Sequence, residues 1–212
     1  LNVQFGEQST QRVEGYAKYG THTINTTPIF FSGSVSYNDI NYWLYFTEAN
    51  IYVTDGVSHW DLTPATGLNA CEAGDWTYTL LGGLPVFNSP SNPPMFWNLN
   101  TASKAKVLTG WPSTARCKAI RSVKYHLVAL NITDNNIDYP NQLWWSNGAQ
   151  AGSIPTEWTP TADNDAGDTI LGDSDGVIVD GWPLRDQLII YKGNCTYSMT
   201  YVAGQYVYSF RK

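Results

Sequence analysis

The chain has 212 residues and a net charge of −6, and aromatic residues are as frequent as charged ones, at 14% each. This length allows one large or two small domains with a buried core. The acidic balance excludes a protein that reads nucleic-acid sequence, because such a protein needs a basic face to neutralise phosphates, but it leaves non-specific proximity to double-stranded DNA open.

The N-terminal region lacks the charged and then apolar pattern of a secretory signal. No apolar run approaches the roughly 18 residues that a membrane-spanning helix needs, so we expect no membrane span. The first residue is Leu rather than Met. We therefore expect a processed chain or a segment of a longer one.

Short runs rich in aromatic and β-branched residues alternate with Gly, Asn and Pro turns along the chain, a pattern typical of strands. An opening strand and turn are predicted over 2–5 and 12–16. The strands predicted after them are 28–31, 34–37, 42–46, 51–54, 75–81, 84–87, 95–98, 119–123, 125–132, 142–146, 176–179, 188–191, 196–201 and 206–210. The best helical window, 102–107, is too short to be stable alone. The sequence therefore predicts an all-β protein.

The predicted strands form units that recur at a regular spacing. Their apolar centres, Leu44, Val86, Val128 and Ile189, are 42, 42 and 61 residues apart, and a long loop over 147–175 lengthens the last interval. A period of about 40–45 residues with about four strands per unit is typical of β-propeller blades. We therefore predict a single β-propeller domain over 1–212, complete or partial, with blades of about 42 residues. The alternative is a β-sandwich with evenly spaced strands.

The sequence contains no HExxH, GxSxG, P-loop or GxGxxG motif, and its three histidines lie in different segments. His126 lies inside a predicted strand, where we expect a structural, hydrogen-bonded role. We predict no catalytic residue, no cofactor and no metal ion, and therefore no enzyme. Cys71, Cys117 and Cys195 are far apart and without a CxxC pair, so we expect buried, reduced thiols as in a protein assembled in a reducing cytoplasm.

The densest acidic stretch contains Asp163, Asp165 and Asp168, and Asp173 and Asp175 follow it. Carboxylates at alternate positions suggest calcium, but the glycine comes one place early for an EF-hand loop and no Glu ends it. A solvated acidic loop is the preferred interpretation, and calcium binding is the alternative.

A propeller glycosidase needs paired carboxylates at a fixed separation, and a sialidase also needs convergent arginines. Neither pattern is present in this sequence, where the arginines are scattered. Exposed Trp and Tyr side chains can stack on sugars without catalysis, although such residues are usually part of the core of a sheet protein. A receptor- or carbohydrate-binding propeller is therefore the alternative function.

The second half of the chain carries a series of short motifs. They are Leu108-Thr109-Gly110-Trp111-Pro112, Cys117-Lys118-Ala119, 124–131, Leu143-Trp144-Trp145-Ser146, Ile154-Pro155-Thr156-Glu157-Trp158, Ala166-Gly167, 173–180, Leu188-Ile189-Ile190-Tyr191-Lys192 and 201–211. In order and spacing these motifs resemble the tail nozzle or tail hub proteins of short-tailed bacteriophages, also called head-closure or packaged-DNA stabilisation proteins. The opening over 2–5 and 12–16 is similar too.

The resemblance implies a β-propeller protomer in a homo-oligomeric ring, a hexamer in the nozzle relatives. The ring lies in the virion tail below the portal and adaptor proteins, with tail fibres or spikes as further partners, after assembly in the cytoplasm of the host bacterium. It closes the tail channel, retains the packaged DNA and conducts it during ejection, and no catalytic residue carries over. The nozzle relatives are usually much longer and carry extra domains, so we expect that this chain lacks some of their gating elements.

This function points to two groups of candidate residues. In the long loop, Trp158, with Pro155 and Pro160, is expected to anchor a neighbouring subunit or a tail partner. The carboxylates expected at the lumen of the ring are Asp163, Asp165, Asp168, Asp173 and Asp175. Because a ring multiplies the charge of each protomer, these carboxylates are expected to keep the duplex centred and mobile.

Overall fold

The computed structural model describes residues 3–5, 10–12, 27–202 and 206–212. All regular secondary structure in these residues is β, and sixteen of the eighteen strands form four antiparallel sheets of four strands each. The other two, β1 (Val3–Phe5) and β2 (Thr10–Arg12), pair with each other. The predicted all-β class is confirmed. The described ranges contain no helix that is long and apolar enough to cross a bilayer.

The four sheets follow one another along the chain and are numbered in that order. Sheet 1 contains β3 (Phe31–Tyr37), β4 (Ile40–Phe46), β5 (Ile51–Thr54) and β6 (His59–Asp61). Sheet 2 contains β7 (Thr77–Leu81), β8 (Leu84–Asn88), β9 (Met95–Phe96) and β10 (Lys106–Val107). Sheet 3 contains β11 (Arg116–Val123), β12 (His126–Asp134), β13 (Ile137–Trp145) and β14 (Gly167–Ile170). Sheet 4 contains β15 (Ile178–Leu184), β16 (Gln187–Lys192), β17 (Thr196–Tyr201) and β18 (Tyr208–Arg211).

In each sheet the strands pair in chain order, so each sheet is a four-stranded meander. Two-residue turns set the register of several hairpins. Asn38 and Asp39, with φ of 50° and 60°, join β3 to β4, and Asn135 and Asn136, with φ of 50° and 61°, join β12 to β13. Two successive positive φ values define the type I′ turn, whose twist matches that of the strands, and Asn and Asp tolerate this conformation.

Consecutive sheets pack against each other through three apolar clusters. The cluster between sheets 1 and 2 contains Leu44, Phe46, Phe87, Met95 and Trp97. The cluster between sheets 2 and 3 contains Leu81, Val86, Ile120, Leu127 and Ile132. The cluster between sheets 3 and 4 contains Val128, Leu130, Leu188, Ile190 and Met199. Burying one such side chain fully stabilises the fold by about 1.5–3 kcal/mol, so these clusters hold the four sheets in series.

Sheets 2 and 3 are covered on both faces, which explains their uninterrupted apolar runs. Val86 and Phe87 are neighbours in β8 but belong to different clusters, as do Leu127 and Val128 in β12. Successive side chains of a strand point to opposite faces, so a strand between two sheets needs apolar residues at every position.

The first strands of the sheets lie side by side. The Tyr78 hydroxyl in β7 donates to the Ser34 carbonyl in β3 at 2.7 Å. The hydroxyls of Thr79 in β7 and Ser122 in β11 are 2.8 Å apart. The Arg121 side chain of β11 donates to the Gly181 carbonyl of β15 at 2.6 Å. The four sheets are therefore joined in chain order along one edge, strand β3 to β7 to β11 to β15.

Sheet 4 buries one face against sheet 3 and exposes apolar side chains on the other. Leu188 and Ile190 are buried, whereas Trp182 is 58% exposed and Leu184 is 61% exposed on the opposite face, beside the exposed Tyr191.

The structure corrects three details of the predicted elements. The long loop over 147–175 contains β14, which pairs with β13 as the outermost strand of sheet 3. The strand was missed because it has only four residues and begins with the weak strand formers Gly167 and Asp168, and its conformation comes from the pairing with β13. The 102–107 window ends in β10 rather than in a helix. The turn between β4 and β5 spans four residues rather than Ala49-Asn50 alone, since Phe46 pairs with Ile51. Residues 2 and 13–16 of the predicted opening lie outside the described residues.

Candidate functional site

Three tryptophans from three separate segments meet on the side of sheet 3 that faces sheet 2. Trp111 lies between β10 and β11, Trp144 lies in β13, and Trp158 lies in the connection between β13 and β14, residues 146–166. The rings of Trp111 and Trp158 meet edge to face with centroids 4.7 Å apart, and those of Trp111 and Trp144 are 5.7 Å apart. Such pairs each contribute about 0.5–1.5 kcal/mol beyond the burial of their area. We call these three residues the tryptophan cluster.

Gly110 allows the 146–166 connection to reach the tryptophan cluster. Its φ is +71°, and a Cβ atom added to it would lie 2.0 Å from the Thr156 carbonyl oxygen. Both the left-handed conformation and this approach are compatible only with glycine. The motif around Gly110 and Trp111 therefore packs directly on the motif that ends in Trp158.

The rest of the 146–166 connection is held by polar contacts. The Asn147 amide donates to the Glu157 carbonyl at 2.9 Å, and the side-chain amides of Asn147 and Asn164 both donate to Glu157 Oε2. The indole of Trp145 donates to the Asp165 carbonyl at 2.8 Å. A Cβ at Gly167 would lie 2.3 Å from the Trp145 ring, so the start of β14 also requires glycine. The connection is therefore an ordered part of sheet 3.

Two hollows flank Trp158. The smaller, of about 220 Å³, is lined by Pro112, Gln142, Trp144, Trp158, Pro160 and Asp168. The larger, of about 500 Å³, has as much polar as apolar surface and is lined among others by Gly110, Glu157, Trp158, Thr161, Asp163 and Asn164. In the smaller hollow, the Gln142 side-chain amide donates to Asp168 Oδ2 at 3.0 Å.

The three predicted interface residues differ in solvent exposure. Trp158 is only 4% exposed and Pro155 is buried, whereas Pro160 is exposed. We expected Trp158 to anchor a neighbouring subunit, but its ring packs against Trp111 of the same chain. This packing already buries the indole, and Pro160 is the predicted interface residue that remains exposed.

The five predicted lumen carboxylates are all exposed, but they belong to different elements. Asp163 and Asp165 lie in the 146–166 connection, and Asp168 lies in the outermost strand of sheet 3. Asp173 and Asp175 lie between β14 and β15, and the Tyr197 hydroxyl donates to Asp173 and lowers the pKa of that carboxyl. Within the described ranges, no three His, Cys, Asp or Glu side chains come together as a metal site.

His126 has the structural role expected of it. It is 1% exposed, and its Nδ1 is 2.9 Å from the Tyr208 hydroxyl across the cluster between sheets 3 and 4. Burial lowers the pKa of His126, and the Asp165 carboxylate only partly opposes this shift. The Tyr208 hydroxyl and Nδ1 of the ring form a hydrogen bond, whereas Nε2 is 3.9 Å from Asp165, too distant for one.

The cysteines are free thiols at different depths. Cys71 and Cys117 are buried as predicted, and burial raises the pKa of both. Cys195 is only partly buried, and its Sγ is 3.2 Å from the Ser174 hydroxyl.

Arg121 is a structurally important residue that the sequence analysis treated as one of several scattered arginines. Its guanidinium forms a bidentate pair with Asp180 of β15, at 3.1 and 2.8 Å, and also donates to the Tyr78 carbonyl of β7. An arginine directly after the apolar residues Ala119 and Ile120 in β11 was the available signal, since a buried charge needs partners. Its partner, 59 residues away, carried no such signal.

The sequence matches no protein-family model and no curated protein. The function is therefore argued from the residues and their geometry.

Proposed function

We propose that this chain is a structural protein of a bacteriophage tail. In this proposal it forms a nozzle or hub ring below the portal and adaptor, closes the tail channel, retains the packaged DNA and conducts it during ejection. The observation that carries the proposal is the packing of the motifs that resemble this protein family. Gly110 and Trp111 contact the segment that ends in Trp158, and Trp145 contacts Gly167. Four of the motifs, those that contain Trp111, Trp145, Trp158 and Gly167, therefore form one connected unit at sheet 3, as expected of features that define a common structure.

We propose further that the four sheets are blades of a β-propeller. Four consecutive meanders, packed in series and adjacent along their first strands, are the arrangement expected of blades around an axis. A β-sandwich consists of two sheets, so the series of four favours the propeller over that alternative. Imaging of the assembled protein tests whether the four sheets are arranged as blades around an axis.

The charge of the chain suits a DNA conduit. A net charge of −6 per protomer is multiplied in a ring, and the five candidate carboxylates are all accessible to solvent. An acidic lumen repels phosphates over about a Debye length, roughly 8 Å at physiological salt. The duplex is then kept close to the protein without being held by it.

The exposed face of sheet 4 supports assembly. Trp182 and Leu184 of β15 expose apolar side chains on a face that also carries polar residues such as Gln187 and Ser198, and the opposite face packs on sheet 3. Apolar surfaces of this kind on a soluble protein are usually covered by a partner, so we assign this face to contacts within the ring or with the neighbouring tail proteins.

Two measurements test the proposal. Mass spectrometry of purified virions should find the chain in a fixed ratio to the portal protein, and negative-stain images of the purified protein should show rings. Absence of the chain from virions, together with a monomer at all concentrations, contradicts the proposal.

A second function, binding of a receptor or carbohydrate, has one specific observation in its favour. The smaller hollow beside Trp158 combines aromatic and proline walls with a hydrogen-bonded amide and carboxylate. A ligand site of this kind can occur in a tail protein and equally in a protein of another class.

A further inference from the structure

The smaller hollow, which we call the Trp144 hollow, has apolar walls and a polar edge. Trp144, Pro112 and Pro160 contribute the apolar surface, and Gln142 and Asp168 contribute the polar groups. Trp144 pairs directly with Asp168 across β13 and β14, and Gln142 lies two residues before Trp144 on the same face. The β-sheet itself therefore holds the aromatic ring and both polar groups in one place.

The two polar groups orient each other and keep free hydrogen-bonding capacity. Gln142 Nε2 donates to Asp168 Oδ2 at 3.0 Å, and neither side chain makes another hydrogen bond to the part of the chain that the structure describes. This leaves one amide N–H and the amide oxygen of Gln142, and the second carboxylate oxygen of Asp168, as donor and acceptors for a ligand. A ligand that both donates and accepts hydrogen bonds can use all of them.

The size of the hollow limits the ligand to a single ring. Its volume is about 220 Å³, below the roughly 300 Å³ at which pockets for drug-sized ligands begin. The larger hollow on the other side of Trp158 is a weaker candidate. Its surface is less apolar than that of the Trp144 hollow, and Glu157 in its wall already accepts two side-chain amide hydrogen bonds.

We infer that the Trp144 hollow binds one neutral pyranose ring of a glycan. A pyranose has an apolar C–H face, which packs on aromatic and proline surfaces, and a rim of hydroxyls that donate and accept hydrogen bonds. A cation is the competing ligand for an aromatic site with a carboxylate. The free N–H of Gln142 disfavours it, because a cation cannot accept that hydrogen bond. The site is independent of the proposed tail function.

Saturation-transfer NMR on the full chain, with the methyl glycosides of glucose, galactose, mannose and N-acetylglucosamine as probes, tests the inference. At least one glycoside should receive saturation, and titration should give a weak dissociation constant, on the order of 1 mM. Asp168→Asn and Gln142→Ala should each weaken binding of that glycoside about tenfold, because each removes or weakens a hydrogen bond to the ligand.

Asp163→Asn is the matched control, since it removes an exposed carboxylate from the wall of the neighbouring hollow. It should leave the dissociation constant unchanged. Thermal melting of all three variants close to that of the parent shows that the fold is intact, and none of the three substitutions replaces a residue of the tryptophan cluster.

Three results overturn the inference. The first is the absence of saturation transfer to any of the four glycosides. The second is equal binding by the Asp168→Asn, Gln142→Ala and Asp163→Asn variants, which locates the sugar elsewhere. The third is binding of tetramethylammonium without binding of any glycoside, which makes the hollow a cation site. Loss of sugar binding leaves the tail proposal untouched, because that proposal is tested by virion composition and ring formation.

Discussion

At the scale of single residues, Arg121 joins three strands that belong to three different sheets. It contacts Asp180 and Gly181 in β15 and the Tyr78 carbonyl in β7, and its guanidinium carbon lies 5.3 Å from the centre of the Trp182 ring. Its side chain is 6% exposed and that of Asp180 is 39% exposed. The pair is therefore largely buried on one side and partly solvated on the other, which reduces its value below that of a fully buried pair.

Arg121→Met should lower the free energy of unfolding by about 2–4 kcal/mol, because Asp180 and two backbone carbonyls lose their donor. Urea denaturation measures this change. Arg116→Met in the same strand is the control. Arg116 donates only to nearby carbonyls of Ser113 and Ala115, so its loss should cost about 1 kcal/mol or less. Equal losses in the two variants would show that Arg121 does not clamp the sheets.

His126 predicts a stability change near neutral pH. Burial lowers its pKa below the ordinary 6.5, whereas the unfolded chain titrates near the ordinary value. Between the two pKa values the unfolded state binds more protons, so the free energy of unfolding falls as the pH drops below about 6.5. Urea unfolding at about pH 7.5 and about pH 5.5 should show this fall, and His126→Gln should reduce it.

The aspartates with lowered pKa values act in a different pH range. The pKa values of Asp55 and Asp61 lie below their ordinary 3.8, so the stability they contribute is present above that value and is lost only as the pH falls through their folded pKa values. If the free energy of unfolding of His126→Gln falls between about pH 7.5 and about pH 5.5 as much as that of the parent, the fall belongs to another group.

At the scale of elements, the 146–166 connection behaves as part of sheet 3 because Gly110 makes room for it. The connection brings Trp158 to Trp111 and precedes β14, so its position and the outer edge of the sheet depend on each other. Both hollows beside Trp158 are formed by the same connection, so a substitution at Gly110 should change the shape of both.

Gly110→Ala should destabilise the fold more than the same substitution at a glycine that has a left-handed conformation but open space around it. Gly152 provides the control, since its φ of +75° matches the +71° of Gly110 but a Cβ atom there meets nothing within 4 Å. Gly152→Ala should cost about 1–2 kcal/mol for the conformation, and Gly110→Ala should cost about 1–3 kcal/mol more for the overlap with Thr156. Urea denaturation compares the variants, and a red shift of the tryptophan emission in Gly110→Ala would show that the cluster has opened. Equal costs would mean that the connection shifts freely.

At the scale of the whole molecule, the described part of the chain places a further sheet against only one side of sheet 1 and of sheet 4. Sheet 4 shows the consequence, because its face carries exposed Trp182 and Leu184 next to Tyr191. A heterologous contact through such a face closes into a ring when the rotation between protomers allows it, and otherwise forms an open array. The geometry of the assembled protein therefore depends on what covers this face.

Leu184→Glu should leave a folded chain but prevent assembly, because a carboxylate on this face cannot be buried without a partner. Light scattering after size-exclusion chromatography measures the oligomeric state. Ile137→Glu is the matched control, since Ile137 is similarly exposed but lies at the tip of a sheet 3 hairpin. Normal rings from Leu184→Glu would remove this face from the assembly.

Local residue patterns were sufficient to predict the class, the repeat and most strands of this protein. Alternating apolar residues and Asn, Asp or Gly turns act within a few residues, and β4 and β5, for example, lie where those patterns placed them. The buried role of His126 followed from the same kind of observation, an isolated polar residue inside an apolar strand.

Tertiary packing decided the site. Three contacts join segments that are distant in sequence. They are the packing of Thr156 on Gly110, the packing of Trp158 on Trp111 and the pairing of Arg121 with Asp180. Trp158 in a loop has the same local pattern whether it faces a partner or its own chain. The strand β14 has only four residues, of which Gly167 and Asp168 are weak strand formers, and its pairing with β13 fixes its conformation. Contacts of this kind depend on which faces the sheets present to each other, and that is decided only when the whole chain packs.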